Sequence, residues 1–588
     1  MSFQRLAHLI AALACLTVVP AVGAQDQAPR ASITDPRVGL RPGVHDAGTA
    51  AWNLKLVATR PKPQGFFDPT DLAAGGYSNS DLAFRGNLLF QGNYTGFQIW
   101  DISNPANPTL RKKIICPGNQ GDPSIYGNLL FVSIQATSAR LDCGTQGVDD
   151  TVSTERFRGV RIWDVSDIDN PKPVAAVQTC RGSHTHTLVT DPRDKENIYV
   201  YVSGTSSVRP GAELPGCSDR PPEEDPNTSL FRIEVIQVPL AAPQNARVVS
   251  TPRLFADSTG NIAGLWRGGD HGEGTQRTSP TNRCHDITAY PEIGLAAGAC
   301  SGNGILIDIR DPVNPKRIAE VSDPNFAYWH SATFNNDATT LLFTDEWGGG
   351  SAPRCRATDR LTWGADAFYR LKDGKLSPAG YFKLPAAQTA QENCVAHNGS
   401  LVPVPGRDIF VQGWYQGGIS VVDFTDPDHP YEIAFFDRGP LDSTRVISAG
   451  QWSTYWYNGY IYGSEIARGL DVLELVPSEY LSQNEIEAAK LVQLEQFNTQ
   501  LQPRITWPAA FSVARAYLDQ LVRNDGLRRP WAESIYRALD EAERARGGQR
   551  AIILGRLADR LRQDLPNASD QKRVRALMQV VQDLSAQR

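Results

Sequence analysis

Four histidines, His186, His285, His330 and His397, each open a short run of strand-forming residues: His-Thr-Leu-Val-Thr, His-Asp-Ile-Thr-Ala, His-Ser-Ala-Thr-Phe and His-Asn-Gly-Ser-Leu. The runs occupy one place in successive units of a repeat, and three further units carry Ser80, Gly121 and Gln451 there. The chain has nine histidines, of which His8 falls in an apolar leader, so half of the rest share this slot. In a cyclic repeat, equivalent positions on different units converge on the axis. Neutral imidazoles that converge in this way can bind iron, copper or zinc. The slot admits three readings: a transition-metal site, a ring of structural hydrogen-bonding pins, or a metal-free ligand pocket.

Neighbouring residues bear on the choice. His184 lies two residues before His186, on the same side of an extended strand, and is a substitute ligand. A ligating imidazole usually donates its second N–H to a carboxylate or carbonyl, and Asp286, Glu346 and Glu392 are near enough in sequence to serve. His271 and Glu273 sit in a Gly-rich insert that could lid the site, whereas His429 belongs to a Pro-turn and reads as surface. The chain has no nucleophile elbow, phosphate loop or dinucleotide fingerprint. Two functions fit: a metal-dependent oxidoreductase, or a non-catalytic exported propeller that binds a small molecule or a protein at its face.

The elements that must position the histidines follow from the repeat. Four segments nearly superimpose: residues 96–108 (Gly-Phe-Gln-Ile-Trp-Asp-Ile-Ser-Asn-Pro-Ala-Asn-Pro), 159–171, 304–315 and 418–430. Each is an apolar strand that ends in an Asp and a Pro-rich turn, because proline cannot donate to a ladder. Gly86-Asn87 and Gly127-Asn128 join two more strands upstream of the first two copies, which is hairpin chemistry. Four antiparallel strands per unit make a propeller blade. Weaker copies at 230–236, 367–371 and 469–475 bring the count to seven. The last unit lacks an outer strand, which residues 53–59 are predicted to supply, closing the ring and removing an open edge.

The strand followed by Asp-[Ile/Val/Phe]-x-[Asp/Asn]-Pro-x-x-Pro resembles the LVIVD-repeat family of bacterial and archaeal surface or exported proteins, over roughly residues 52–477. The resemblance implies a propeller and export, and little about chemistry. Long inserts at 204–227 and 257–282 depart from a simple repeat. In site design alone, four histidines on a seven-bladed propeller resemble the iron site of the carotenoid cleavage oxygenases. No sequence likeness to that family accompanies it.

The remaining features set the context. Arg5, an apolar run over residues 9–22 and Val22-Gly23-Ala24 read as a secretory signal cleaved after Ala24, and predict a secreted or periplasmic protein. No later run is long enough to span a membrane. The eight cysteines beyond Cys15 suit an oxidising compartment, and pairing neighbours in order gives Cys116–Cys143, Cys180–Cys217, Cys284–Cys300 and Cys355–Cys394. A net charge of −6 without a basic cluster excludes a nucleic-acid surface. The expected organisation is a signal peptide (1–24), an N-terminal extension (25–50), an all-β propeller of seven four-stranded antiparallel blades (51–477) and a small C-terminal α-helical domain (478–588). Ser482-Gln-Asn-Glu485 is a capping box that opens the helical part.

Overall fold

A computed structural model describes residues 30–71 and 74–587, so the predicted signal peptide lies outside the described residues. Seven antiparallel sheets stand around one axis, with four strands in chain order in each of blades 1 to 6. Their innermost strands are Asn79–Arg85 (blade 1), Gln120–Tyr126 (blade 2), Thr187–Asp191 (blade 3), Asp286–Tyr290 (blade 4), Trp329–Phe334 (blade 5), Gly399–Val402 (blade 6) and Gln451–Tyr457 (blade 7). Blade 7 takes its outermost strand from the start of the chain: Leu54–Arg60 pairs antiparallel with Gly469–Leu475, from Leu54 opposite Leu475 to Arg60 opposite Leu470. Residues 49–52 add a fifth strand outside blade 6. The insert at 257–282 carries only a short hairpin of its own, Gly269–Asp270 against Arg277–Thr278.

The repeat motif has a physical basis in every strong copy. The Asp that ends the third strand accepts from the backbone N–H two residues on: Asp101 from Ser103 at 2.9 Å, Asp164 from Ser166 at 2.8 Å, Asp308 from Arg310 at 3.0 Å and Asp423 from Thr425 at 2.8 Å. These Asx turns stop the strand just before the prolines. Gly96, which opens the first copy, has φ +150°, and a Cβ there would meet the Ile114 carbonyl oxygen of the outer strand at 1.9 Å. Between blades the sheets bury an apolar core, as where Phe97, Ile99, Leu130, Val132 and Trp163 pack blade 1 against blade 2.

The C-terminal region has two parts. Helix α1 (Gln483–Lys490) starts at the Ser482–Glu485 capping box. The chain then runs across the axis before helices α2 (Phe511–Arg523), α3 (Arg529–Arg544), α4 (Gly548–Asp564) and α5 (Gln571–Ala586) form a bundle around Leu518, Leu521, Ile535, Leu539, Leu554 and Leu577. Buried Arg407 of blade 6 ties the bundle to the propeller, donating to Asp423 at 3.0 Å and to Glu485 at 3.0 Å, while Arg523 of α2 bonds the same Glu485.

The crossing segment is a plug that the sequence did not announce. Gln496–Asn498 pairs with Ala83–Arg85, on the inner side of blade 1. The Asn498 side chain accepts from Ile125 N at 2.7 Å and donates to Ile125 O at 2.9 Å. Gln502 does the same to Phe334, at 3.1 and 2.8 Å. Each amide thus mimics a peptide group and completes the hydrogen bonding of an innermost strand. All these contacts fall at the ends of the innermost strands, so the plug seals the end of the channel opposite their starts.

Candidate metal centre

The histidine slot sits at the open mouth. Thr185 and Thr187 face blade 4, where Thr185 donates to His285 O at 2.7 Å, whereas His186 turns toward blade 2. His186 then lies buried between blades 2 and 3, its Nδ1 at 2.8 Å from Ser133 Oγ and 3.6 Å from Asp122 Oδ2. His184 is nearer the mouth and packs on His285, with ring centroids 4.4 Å apart. His285 and His330 are 3.8 Å apart by the same measure, and His330 and His397 4.3 Å. Four imidazoles from blades 3 to 6 therefore form an arc. They are His184, His285, His330 and His397; His186 is not among them.

Ring orientation is shared. Nδ1 of each turns away from the arc: His184 to Gln135 Oε1 at 2.9 Å, His285 to Asp286 Oδ1 at 2.9 Å, His330 toward Thr344 Oγ1 at 3.5 Å, and His397 to the Trp452 carbonyl. None of the four Nε2 atoms has a hydrogen-bond partner among the described residues, and that of His330 is fully buried. Burial holds all four in the neutral state: His285 and His397 are pushed down to about 3, and His184 and His330 well below the usual imidazole range. Neutral rings with Nδ1 engaged present the Nε2 lone pair, which is the ligating form.

Glu346 completes the cluster. Its oxygens stand 3.8 Å from His330 Nε2 and 3.8 Å from His397 Nε2, and the Tyr415 hydroxyl donates to Oε1 at 2.6 Å. Ligand atoms of His285, His330 and Glu346 all lie within 4.8 Å of one another. Burial pushes the Glu346 carboxyl up to about 8, and a cation beside it would favour the ionised form. The Gly-Gly-Gly run after Trp347 makes room: Gly350 has φ +69°, and a Cβ there would strike the Tyr415 hydroxyl at 2.2 Å. Asp345 anchors the facing loop, accepting from the backbone of Ala327 at 3.0 Å, Tyr328 at 2.9 Å and Gly364 at 2.8 Å.

The remaining sequence candidates divide. Asp286 is the partner of His285, as its position suggests. Glu392 bonds Thr389 instead, at 2.7 Å, and His271 stacks on Trp266 at 3.9 Å within its own insert. His429 is exposed and pairs with Asp426. All eight cysteines pair in chain order, and the bridges that include Cys116, Cys180, Cys284 and Cys394 brace loops at the mouth.

Above the imidazoles opens a cavity of about 620 Å³, lined among others by Tyr94, Arg283, Tyr328, Tyr415 and Trp452. Its size is that of a small-molecule site. Sequence reasoning missed this lining, yet a signal existed. Of the seven residues two before the slot, Ser78, Asn119, His184, Arg283 and Tyr328 face it, whereas Val395 and Ala449 do not line it.

No protein-family model and no curated protein matches the chain. Solved structures that resemble it include a periplasmic gluconolactonase of Pseudomonas aeruginosa, 12% identical, covering 67% of this chain and 97% of its own, with a TM-score of 0.40. Hydrazine synthase of Kuenenia stuttgartiensis is 11% identical over 66% of this chain and 93% of its own, with a TM-score of 0.40. The computationally designed Ika8 protein is 9% identical over 68% and 96%, with a TM-score of 0.35. Likeness at this level assigns no activity.

Proposed function

We propose that this protein is an exported, transition-metal-dependent oxidoreductase, with its metal held on the propeller axis by His184, His285, His330 and His397 and with Glu346 beside it. The carrying observation is the common orientation of the four rings, with Nδ1 bonded outward and Nε2 left without a partner. Structural pins would spend their ring nitrogens on the backbone of neighbouring blades, and only His397 does so, through Nδ1. An all-imidazole donor set with a carboxyl nearby suits iron or copper, with zinc the redox-silent alternative. The metal would supply electron transfer or Lewis acidity, while the chain fixes ring orientation and leaves a cavity for the substrate.

Export rests on the predicted leader and the four disulfides; among the described residues no helix is long and apolar enough to cross a membrane. The strand–Asp–Pro repeats support a place among LVIVD-repeat proteins.

Elemental analysis of protein purified without chelators tests the reading. The expected result is about one equivalent of iron or copper, lost in His285→Ala and His330→Ala and retained in His186→Ala, with circular dichroism unchanged. Wild-type protein that neither carries nor takes up a transition metal overturns it, and a ligand-binding propeller would take its place.

A further inference from the structure

The cavity over the imidazoles holds a guanidinium that forms no ion pair among the described residues. Arg283 lies two residues before His285 and lines the cavity. Its Nε is buried without a hydrogen-bond partner, and among the described residues it forms no ion pair. The Tyr328 hydroxyl lies beside the guanidinium. Behind it, buried Arg181 donates to the carbonyls of Ser206 and Asn282, both at 3.2 Å, with the Glu234 carboxyl near enough to act on its charge. Burial, with Arg283 adding to it, pushes Arg181 down to about 10. Glu346 is the one carboxyl that lines the cavity, and it accepts from the Tyr415 hydroxyl and makes no ion pair with Arg283. A guanidinium that lines a cavity without an ion pair is a ready seat for an anion.

The aromatic side chains of Tyr94, Tyr415 and Trp452 line the cavity among polar residues such as Gln120, Gln135 and Thr205. Tyr94 and Trp452 meet edge to face with centroids 6.1 Å apart, Trp452 and Tyr415 at 6.3 Å, and Tyr328 stands edge-on to His285 at 5.9 Å. The faces and edges that these rings turn to the cavity offer apolar contact to a flat ring.

We infer that the substrate is a small aromatic carboxylic acid, its carboxylate on Arg283 and Tyr328 and its ring among Tyr94, Tyr415 and Trp452, so that the remainder faces the imidazole arc. The inference rests on the metal-centre reading for what happens to the acid, and on the cavity alone for its binding. A guanidinium fork matches the two oxygens of a carboxylate, and a hydroxyl alongside adds a donor. A single guanidinium balances the one charge of a carboxylate and leaves one charge of a phosphate dianion unbalanced.

Calorimetric titration of the full-length, metal-stripped protein with benzoate, benzamide and phenyl phosphate tests it without reliance on the metal. Benzoate should bind at least tenfold more tightly than benzamide and than phenyl phosphate. Arg283→Gln should abolish the preference for the acid over the amide, and Tyr328→Phe, which removes only a hydroxyl, should reduce it several-fold. Metal uptake by Arg283→Gln should equal that of the wild type, so failure of the metal centre shows in metal content and failure of acid recognition in the titration. Equal binding of benzoate and benzamide, tighter phenyl phosphate, no benzoate binding at millimolar concentration, or a preference that survives Arg283→Gln overturns the inference.

Discussion

The two ends of the channel are built from the same seven strands and treat polar atoms in opposite ways. At the sealed end, Asn498 and Gln502 each meet both the N–H and the C=O of a single residue, Ile125 and Phe334. At the mouth, four Nε2 atoms and the Arg283 Nε face each other or the cavity with no partner. A buried polar group left unpaired costs on the order of 1–3 kcal/mol. This chain satisfies the backbone of Ile125 and Phe334 where it needs closure, although Thr499 Oγ1 and Gln500 Nε2 of the plug stay unpaired, and it leaves ring nitrogens free where something else must bind. The contrast separates a structural polar network from a binding site inside one protein.

The largest effect that can break this comparison lies at the sealed end. Asn498→Ala with Gln502→Ala leaves the N–H and C=O groups of Ile125 and Phe334 without partners in a buried place. At about 1–3 kcal/mol for each residue, the pair should lower the thermal midpoint by several degrees. Metal content should stay at the wild-type level. Loss of metal with no change in melting would show that the two ends are not separate structures at all.

Between the ends lies a layer of buried carboxyls, and pH probes it. Asp81 is pushed up to about 6 by burial, although the Tyr455 hydroxyl donates to it at 2.5 Å, and the Asp122 carboxyl stands against it. In the unfolded chain such a group titrates near 4. The folded state therefore binds the extra proton between these values, and its contribution to stability is full below about pH 4 and lost as pH rises through 6. Metal-free protein should melt at a lower temperature at pH 7 than at pH 4.5 over the range that Asp81 governs, and Asp81→Asn should flatten the dependence. A dependence that Asp81→Asn leaves unchanged would place the proton elsewhere.

How far these regions could be read in advance follows the same division. The blades are legible because Asp and Pro act locally: each Asx turn involves residues two apart, and four copies repeat it. The juxtaposition of His285, His330 and His397 is legible for a related reason, since each lies within two residues of the start of an innermost strand, as His186 also does. In blade 3 the strand begins only at Thr187, after a bend at Gly182, which has φ +65°. The residue that reaches the arc there is His184, and alignment alone points to His186. The plug is illegible because its work is done by single side chains in an irregular stretch, with no period to mark it. Arg283 and Tyr328 fall between these cases: their spacing from the histidines was regular, but nothing in the sequence distinguishes an arginine with an ion-pair partner from one without.

One plug residue reaches past the sealed end, and it carries the smallest expected effect. Gln500 has a buried amide nitrogen with no hydrogen-bond partner, placed beside the carboxyl of Asp286. Asp286 in turn accepts from Nδ1 of His285. Burial holds Asp286 up at about 7, with Thr185 and Gln500 drawing it down. A cation on His285 strengthens the donor character of its Nδ1–H and favours the ionised Asp286, to which the Gln500 amide can then donate. Gln500 is thus a positioning residue two bonds removed from the ligand atom. Gln500→Leu should weaken metal binding a few-fold, less than the 10–100-fold typical when a ligand's direct partner is lost. Competition against a chromogenic chelator measures this, with Asp286→Asn as the larger reference. Equal losses in the two variants would mean that the plug is part of the metal site, and an unchanged affinity in Gln500→Leu would leave the ends of the channel independent.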